Sequence, residues 1–315
     1  MVAARAGHRV QLWSRNAEVI RSIHDDRINS RYLSATPIPA DVVTGGNLAA
    51  TLRDAAMVVF AAPSHAAREL LTTMAPSLYE GAVVVSVSKG IEIETGKRIS
   101  EIAKEVIGSS HPFVCVSGPS FAKEVAAGHP TAIVAASKDA AAARAVQNDL
   151  SFENLRIYTN TDVIGTEIGG SVKNVMAIAA GMTTGLGFGS NSVAALITRG
   201  LAEITRLARR EGAQVETLMG LAGLGDLVLT CTGSLSRNRF VGEELGKGRT
   251  LDEIVAELNE VAEGINTARA VKKLADRAGL EMPITNEVNA VLYDGKPARE
   301  AVAELMSRPL REEIN

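Results

Sequence analysis

Apolar positions change their period once along the chain. Up to about residue 160 they fall into short, nearly continuous β-branched runs: RVQLW (9–13), VV (42–43), MVVFAA (57–62), VVVSVS (83–88), FVCVSG (113–118), AIVAAS (132–137) and RIYT (156–159). Runs without polar alternation predict strands buried on both faces, as in a parallel sheet. Helical spacing fills the intervals, around 16–28, 64–79, 97–107 and 139–151. This alternation predicts an α/β fold with a doubly wound sheet. Beyond residue 160 the strand signals stop. Helical patterns then follow one another at 162–181, 191–212, 215–222, 236–246, 251–258, 266–278, 284–292 and 297–306. Two domains are expected, a sheet domain over 1–160 and an all-helical domain over 161–315, with no low-complexity linker between them.

One helix organises the rest. DVIGTEIGGSVKNVMAIAAG (162–181) has Thr161 or Asp162 as its N-cap and is expected to stop at Gly181. Steps of four give Gly165, Gly169, Lys173, Ala177 and Gly181, a ridge of small residues with one lysine in it. Glycine inside a helix costs about 1 kcal/mol relative to alanine, so Gly165, Gly169 and Gly170 imply close approach of another backbone or of a ligand. Lys173, followed by the apolar run 175–180, is expected to be partly desolvated, which lowers an ammonium pKa toward neutrality. On the helix alone, a lysine snorkelling to a surface carboxylate stands equally open.

Composition removes several classes of function. At 315 residues, 46% hydrophobic and 22% charged with a net charge of −3, the chain has an ordinary globular balance and no basic excess for nucleic acid. No apolar run is long enough to span a bilayer. Cys115 and Cys231 lie far apart and form no disulfide framework, which suits a reducing cytoplasm. The five histidines form no ligand pair, so no metal is expected. MVAARAGH, at the N-terminus, lacks the regions of a signal peptide and reads as the end of a helix running into the strand at 9–13.

Ligands of a doubly wound sheet sit at the carboxyl ends of its strands. The GxGxxG fingerprint of a dinucleotide loop is missing between a first strand and a first helix. Gly185, Gly187 and Gly189 follow a helix rather than a strand, and the 90–97 segment has the wrong spacing for a phosphate loop. Strand 9–13 ends at Ser14 and Arg15, where an arginine accommodates a 2′-phosphate, or is merely a solvated turn residue. Strand 83–88 ends in Ser88, Lys89 and Gly90, which either presents a cation to a cleft or solvates a strand end. Gly118 and Pro119 fix a tight turn at 117–122, which either lets Ser120 and its neighbours offer backbone N–H groups to an anion or is an unremarkable turn. In the helical half, Asp226 lies inside the glycine-broken stretch 220–233 and must be paired there, with Lys173 or Asn174 as candidates. Ser236, Arg237 and Asn238 open a helix, which makes either a phosphate site or a plain serine cap with solvent-facing basic residues.

Six motifs in register, SKG (88–90), SGPSFA (117–122), KNVMAIAAG (173–181), GLGDL (223–227), TGSLSRN (232–238) and VAEG (261–264), resemble the bacterial-type NAD(P)-dependent glycerol-3-phosphate dehydrogenases over practically the whole chain. The resemblance implies a Rossmann domain followed by a helical substrate domain. It also implies interconversion of dihydroxyacetone phosphate and sn-glycerol 3-phosphate with NADP or NAD, feeding glycerophospholipid synthesis, and no metal. By the same resemblance Lys173 is the proton-transfer residue. Lys89, Gly118, Ser120, Lys173, Asp226, Ser236, Arg237 and Asn238 would line the substrate site. Arg15, Lys89, Ala122, Arg237, Val261 and Glu263 would touch the nucleotide, with Asn174 and Thr230 in support.

The family's first strand and its GxGxWG loop have no counterpart in the sequence, as a late start codon or a fragment would produce. Poor NAD(P)H binding and exposed strand edges are therefore expected. Two other readings stay open: a Rossmann dehydrogenase acting on a hydroxy acid, and a catalytically dead interaction protein. The apolar face of helix 191–212 fits either a homodimer seam or core packing.

Overall fold

In the computed structural model, which describes residues 1–258, 262–310 and 312–313, the chain opens with α1 (Val2–Arg5), β1 (Val10–Trp13) and α2 (Ala17–Asp26). Then come β2 (Ile28–Asn29), β3 (Leu33–Pro37), β4 (Val42–Gly45), α3 (Leu48–Leu52), β5 (Met57–Phe60) and α4 (Ala67–Met74). The sheet half ends with β6 (Val83–Ser86), α5 (Ile99–Ile107), β7 (Phe113–Ser117), α6 (Ala122–Ala127), β8 (Thr131–Ala136), α7 (Ala140–Leu150) and β9 (Leu155–Asn160). The helical half begins with α8 (Val163–Gly185), α9 (Ser190–Arg210), α10 (Val215–Met219) and α11 (Asp226–Thr232). It continues through α12 (Arg237–Gly246), α13 (Leu251–Glu257), α14 (Glu263–Ala278), α15 (Pro283–Tyr293) and α16 (Ala298–Ser307).

Strands β5 to β9 form one sheet in sequential order, and β1 pairs in parallel with β4 in a separate two-stranded sheet. The apolar runs are buried as expected: Val84, Val85, Val114 and Ala135 are fully enclosed. One strand departs from the expected direction. β8 runs antiparallel to β7, while the β5–β6, β6–β7 and β8–β9 pairs are parallel. A run buried on both faces carries the same apolar pattern in either direction, so direction is not encoded in it. The hairpin of β2 and β3 and the short helices α3 and α6 also lie outside the expected elements. No hydrogen-bonded pairing joins β1 to β5, and a cleft passes between their edges.

The helical half is built around α8, which is buried almost from end to end. Asp162 caps it, accepting a hydrogen bond from the Gly165 amide (2.9 Å) and tying in the Gln214 amide (2.8 Å). Gly181 does not stop the helix, which runs on to Gly185. Glycine is required there for a different reason. A Cβ on Gly181 would lie 2.7 Å from the Glu243 amide nitrogen, and one on Gly242 would lie 2.9 Å from the Met182 nitrogen. α8 and α12 thus pack backbone to backbone through interleaved glycines. The same reasoning applies at Gly169, where a Cβ would meet the Ala222 carbonyl at 2.7 Å. The close-approach reading of the small-residue ridge holds.

Candidate active site

The carboxyl ends of β1, β5, β6 and β7 open on one cleft of about 2740 Å³, with Arg15 after β1, Pro63 after β5, Lys89 after β6, and Ser120 and Ala122 after β7 on its wall. The helical half contributes Lys173 and Asn174 of α8, Thr230 of α11, Ser236, Arg237 and Asn238 at the start of α12, and Glu263 at the start of α14. α8 and the opening turn of α12 therefore meet in one shared cavity.

At its base two lysines share one carboxylate. Asp226, 1% exposed, binds the Lys89 ammonium through Oδ2 at 2.6 Å and the Lys173 ammonium through Oδ1. Lys173 also donates to the Thr230 hydroxyl at 2.7 Å. Burial first, and then the neighbouring Lys89 charge, lower the pKa of Lys173 to about 7 against the opposing pull of Asp226. Burial alone would raise the Asp226 pKa, but the two ammoniums outweigh it and hold the carboxyl below its usual value. The local fold explains the burial. A π-helical turn at Leu221–Gly225 leads into Asp226, the first residue of α11, and packs against the glycines of α8.

Several expected residues sit differently from the expectation. Asp226 is not on the cleft wall but behind the two lysines, because both of its oxygens are occupied by their ammoniums. Gly118 is also off the wall. Its positive φ of 135° turns its carbonyl to within 3.5 Å of the Lys89 amine, and Ser120 donates to that carbonyl at 3.0 Å. Ser236 caps α12, accepting from the Arg239 amide at 3.2 Å, and Asn238 accepts from the Gly264 amide at 2.9 Å, joining α12 to α14. Glu263 lies on the wall with both oxygens engaged by Ser64, whose amide and hydroxyl donate at 3.2 and 2.6 Å. Ser64 was missed in the sequence. Its only signal was its place just after an apolar strand, while its partner lies 199 positions away. Val261 falls outside the described residues.

Comparisons with known proteins identify the family. A profile of the NAD-dependent glycerol-3-phosphate dehydrogenase N-terminus matches residues 1–143, and one of the C-terminus of the same family matches residues 162–303. The chain belongs to this family. It is 51% identical over 317 residues to a glycerol-3-phosphate dehydrogenase (NAD(P)+) of Koribacter versatilis, covering 100% of this chain and 94% of that one. It matches the crystal structure of a glycerol-3-phosphate dehydrogenase from Coxiella burnetii with a TM-score of 0.94 and 38% identity, covering 98% of this chain and 94% of that one. A ketopantoate reductase of Ralstonia eutropha, at 14% identity and a TM-score of 0.58 with 97% and 94% covered, shares the fold alone.

The cleft has room for the family's nucleotide. Its volume exceeds the roughly 300–1,000 Å³ of a typical small-molecule pocket. Its wall carries Arg15 beyond β1 as well as Lys89 and Lys173. No helix among the described residues is long and apolar enough to cross a membrane.

Proposed function

We propose that the chain interconverts dihydroxyacetone phosphate and sn-glycerol 3-phosphate, with Lys173 as the group that gives and takes the proton. The observation that carries this reading is a buried amine, its pKa brought to about 7, facing the same cleft as Arg237 at a helix start. NAD(P)H, when bound, supplies and accepts the hydride. The residues of the chain do the rest. Reduction of a ketone leaves negative charge on its oxygen, which needs a proton and nearby positive charge. Lys173 in its ammonium form provides the proton, and Lys89, held by Asp226, provides fixed positive charge beside it. Arg237 and the capped start of α12 grip the phosphate at the far end of the substrate, which orients the carbonyl. A hydroxy acid without a phosphate has no use for that grip.

On the nucleotide, Lys89, Ala122, Arg237 and Glu263 lie along the wall near the reacting end, and Arg15 at the other end suits a 2′-phosphate. This supports NADP, with NAD as the alternative. The reading places the enzyme in the cytoplasm, and a homodimer through the outer face of α9 is testable by sedimentation.

The test follows NADPH oxidation on adding dihydroxyacetone phosphate. Lys173→Ala should lose at least about 10³-fold in turnover, in the range of a lost general acid, while NADPH fluorescence titration stays near wild type. Equal loss of both would make Lys173 structural. No turnover by folded wild-type chain would overturn the activity.

A further inference from the structure

Residues 87–98, between β6 and α5, carry Lys89 and belong by chain order to the sheet half. The sheet half keeps a hold on them through Arg68 of α4, which donates to both oxygens of Glu92 at 2.9 and 2.8 Å, and through Ser88, which donates to the Ala62 carbonyl. Their apolar side, however, is packed into the helical half. Ile91 is 1% exposed and packs within the core of the helical domain, with Ile93 against the same core. Two tethers from α8 flank this strap. Near Lys89, the Gly90 amide donates to the Ser171 hydroxyl at 2.9 Å. At the far end, the Glu167 carboxylate accepts from the Ser100 amide at 2.8 Å, the Ser100 hydroxyl at 2.5 Å and the Arg98 guanidinium at 3.0 Å. Glu167 is buried, and a buried carboxylate is tolerated only when partnered in this way. From inside α8 it caps the first turn of α5, where orphan amides and the helix dipole favour an anion. Glu167 and Ser171 are four residues apart, on one face of α8, and Lys173 follows two residues later.

We propose that Glu167 is a positioning residue that fastens the strap 87–98 to α8, so that Lys89 and Lys173 ride on one rigid body and keep their spacing whether or not the cleft is occupied. Lys89 then does not approach Lys173 from an opposing domain on closure. Its charge is built in beside the proton donor. The proposal rests on the reading of Lys173 given above.

The charged and titratable groups around the Lys173 amine are Lys89 from the strap, and Asp226 and Cys231 from α11. Arg237 of α12 and Glu263 of α14 line the same cleft. Around Glu167 stand Arg98 and Cys115. Releasing the strap takes a like charge away from Lys173 and leaves Asp226 to it, so the Lys173 pKa should rise.

The test compares Glu167→Gln and Ser171→Ala with wild type by two measurements. One is the pH dependence of Lys173 acetylation by a trace of acetic anhydride, read by mass spectrometry on the chain without cofactor. The other is the pH profile of kcat/KM for dihydroxyacetone phosphate. Both variants should move the Lys173 midpoint up by about one unit, the order expected for loosening a like charge that shares the Asp226 carboxylate, and the alkaline limb of kcat/KM should move with it. A fall in kcat/KM with both midpoints unmoved would make Glu167 a merely structural residue and overturn the proposal. If Glu167→Gln does not fold, Ser171→Ala alone decides. A wild-type Lys173 titrating at an ordinary lysine pH overturns the proton-donor reading itself. A wild-type midpoint near 7 with unmoved variants overturns the positioning role alone.

Discussion

Replacing Gly181 by alanine tests whether the backbone-to-backbone seam between α8 and α12 sets the site. The added Cβ would lie 2.7 Å from the Glu243 amide nitrogen and closer still to the Arg239 carbonyl, against 3.4–4 Å for ordinary contact. Both neighbours are helix backbone, so neither can swing aside, and α12 has to withdraw by about 1 Å. Overpacking of this kind costs roughly 1–3 kcal/mol, and a contact with rigid backbone belongs at the top of that range or above it. Alanine returns about 1 kcal/mol of helix propensity. The net loss should be about 2 kcal/mol, or a Tm lower by about 3 °C for a chain of this size. Because Arg237 and Asn238 sit on the first turn of α12, the same withdrawal should lower kcat/KM on the order of 10²-fold. Thermal or urea unfolding alongside steady-state kinetics reads both effects. The control is Gly46→Ala, where the added Cβ meets nothing within 4 Å and stability should hold or rise slightly. A Gly181→Ala protein as stable as this control would refute the packing argument.

Two further perturbations address charge. Arg237→Lys keeps the positive charge but loses the planar fork that grips a phosphate in two places. KM for dihydroxyacetone phosphate should rise about 10-fold, more than NADPH affinity falls, and an unaltered KM would remove Arg237 from phosphate binding. Glu203 of α9 is buried against the start of α15, accepting from the Ile284 and Thr285 amides, and burial raises its pKa to about 7. With the folded pKa above the unfolded one, its contribution is complete below about pH 4.5 and is lost as pH climbs through 7, an effect of about 3 kcal/mol. Between pH 5 and 8 the wild-type Tm should therefore fall relative to that of Glu203→Gln, and parallel curves would show no such linkage.

The chain's pattern carried some of this and hid the rest, for physical reasons. The ridge of glycines on α8 was legible because a helix brings every fourth residue to one side, and glycine there is costly unless something presses close. Asp226 was legible as a carboxylate in apolar surroundings, which demands a cation. That it takes two cations and leaves the cleft wall was not, because Lys89 reaches it across 137 positions. Gly181 looked like a stop because glycine ends helices as readily as it packs them. The reversed β8 and the clasp of Glu263 on Ser64 depend on tertiary pairing, which local periodicity does not record. The strap at 87–98 reads as an ordinary loop, and the burial of Ile91 in the other half's core, with the bond from Gly90 to Ser171, shows where it belongs.

The most direct measurement of the central claim is the pH dependence of kcat/KM in both directions of the reaction. An ammonium that gives its proton during reduction must receive one during oxidation. Reduction of dihydroxyacetone phosphate should therefore fail above about pH 7, and oxidation of sn-glycerol 3-phosphate should rise through the same midpoint. Ionisation of the substrate phosphate moves both directions the same way and cannot produce that mirror image. Profiles without opposed limbs near pH 7 would contradict Lys173 as the proton carrier.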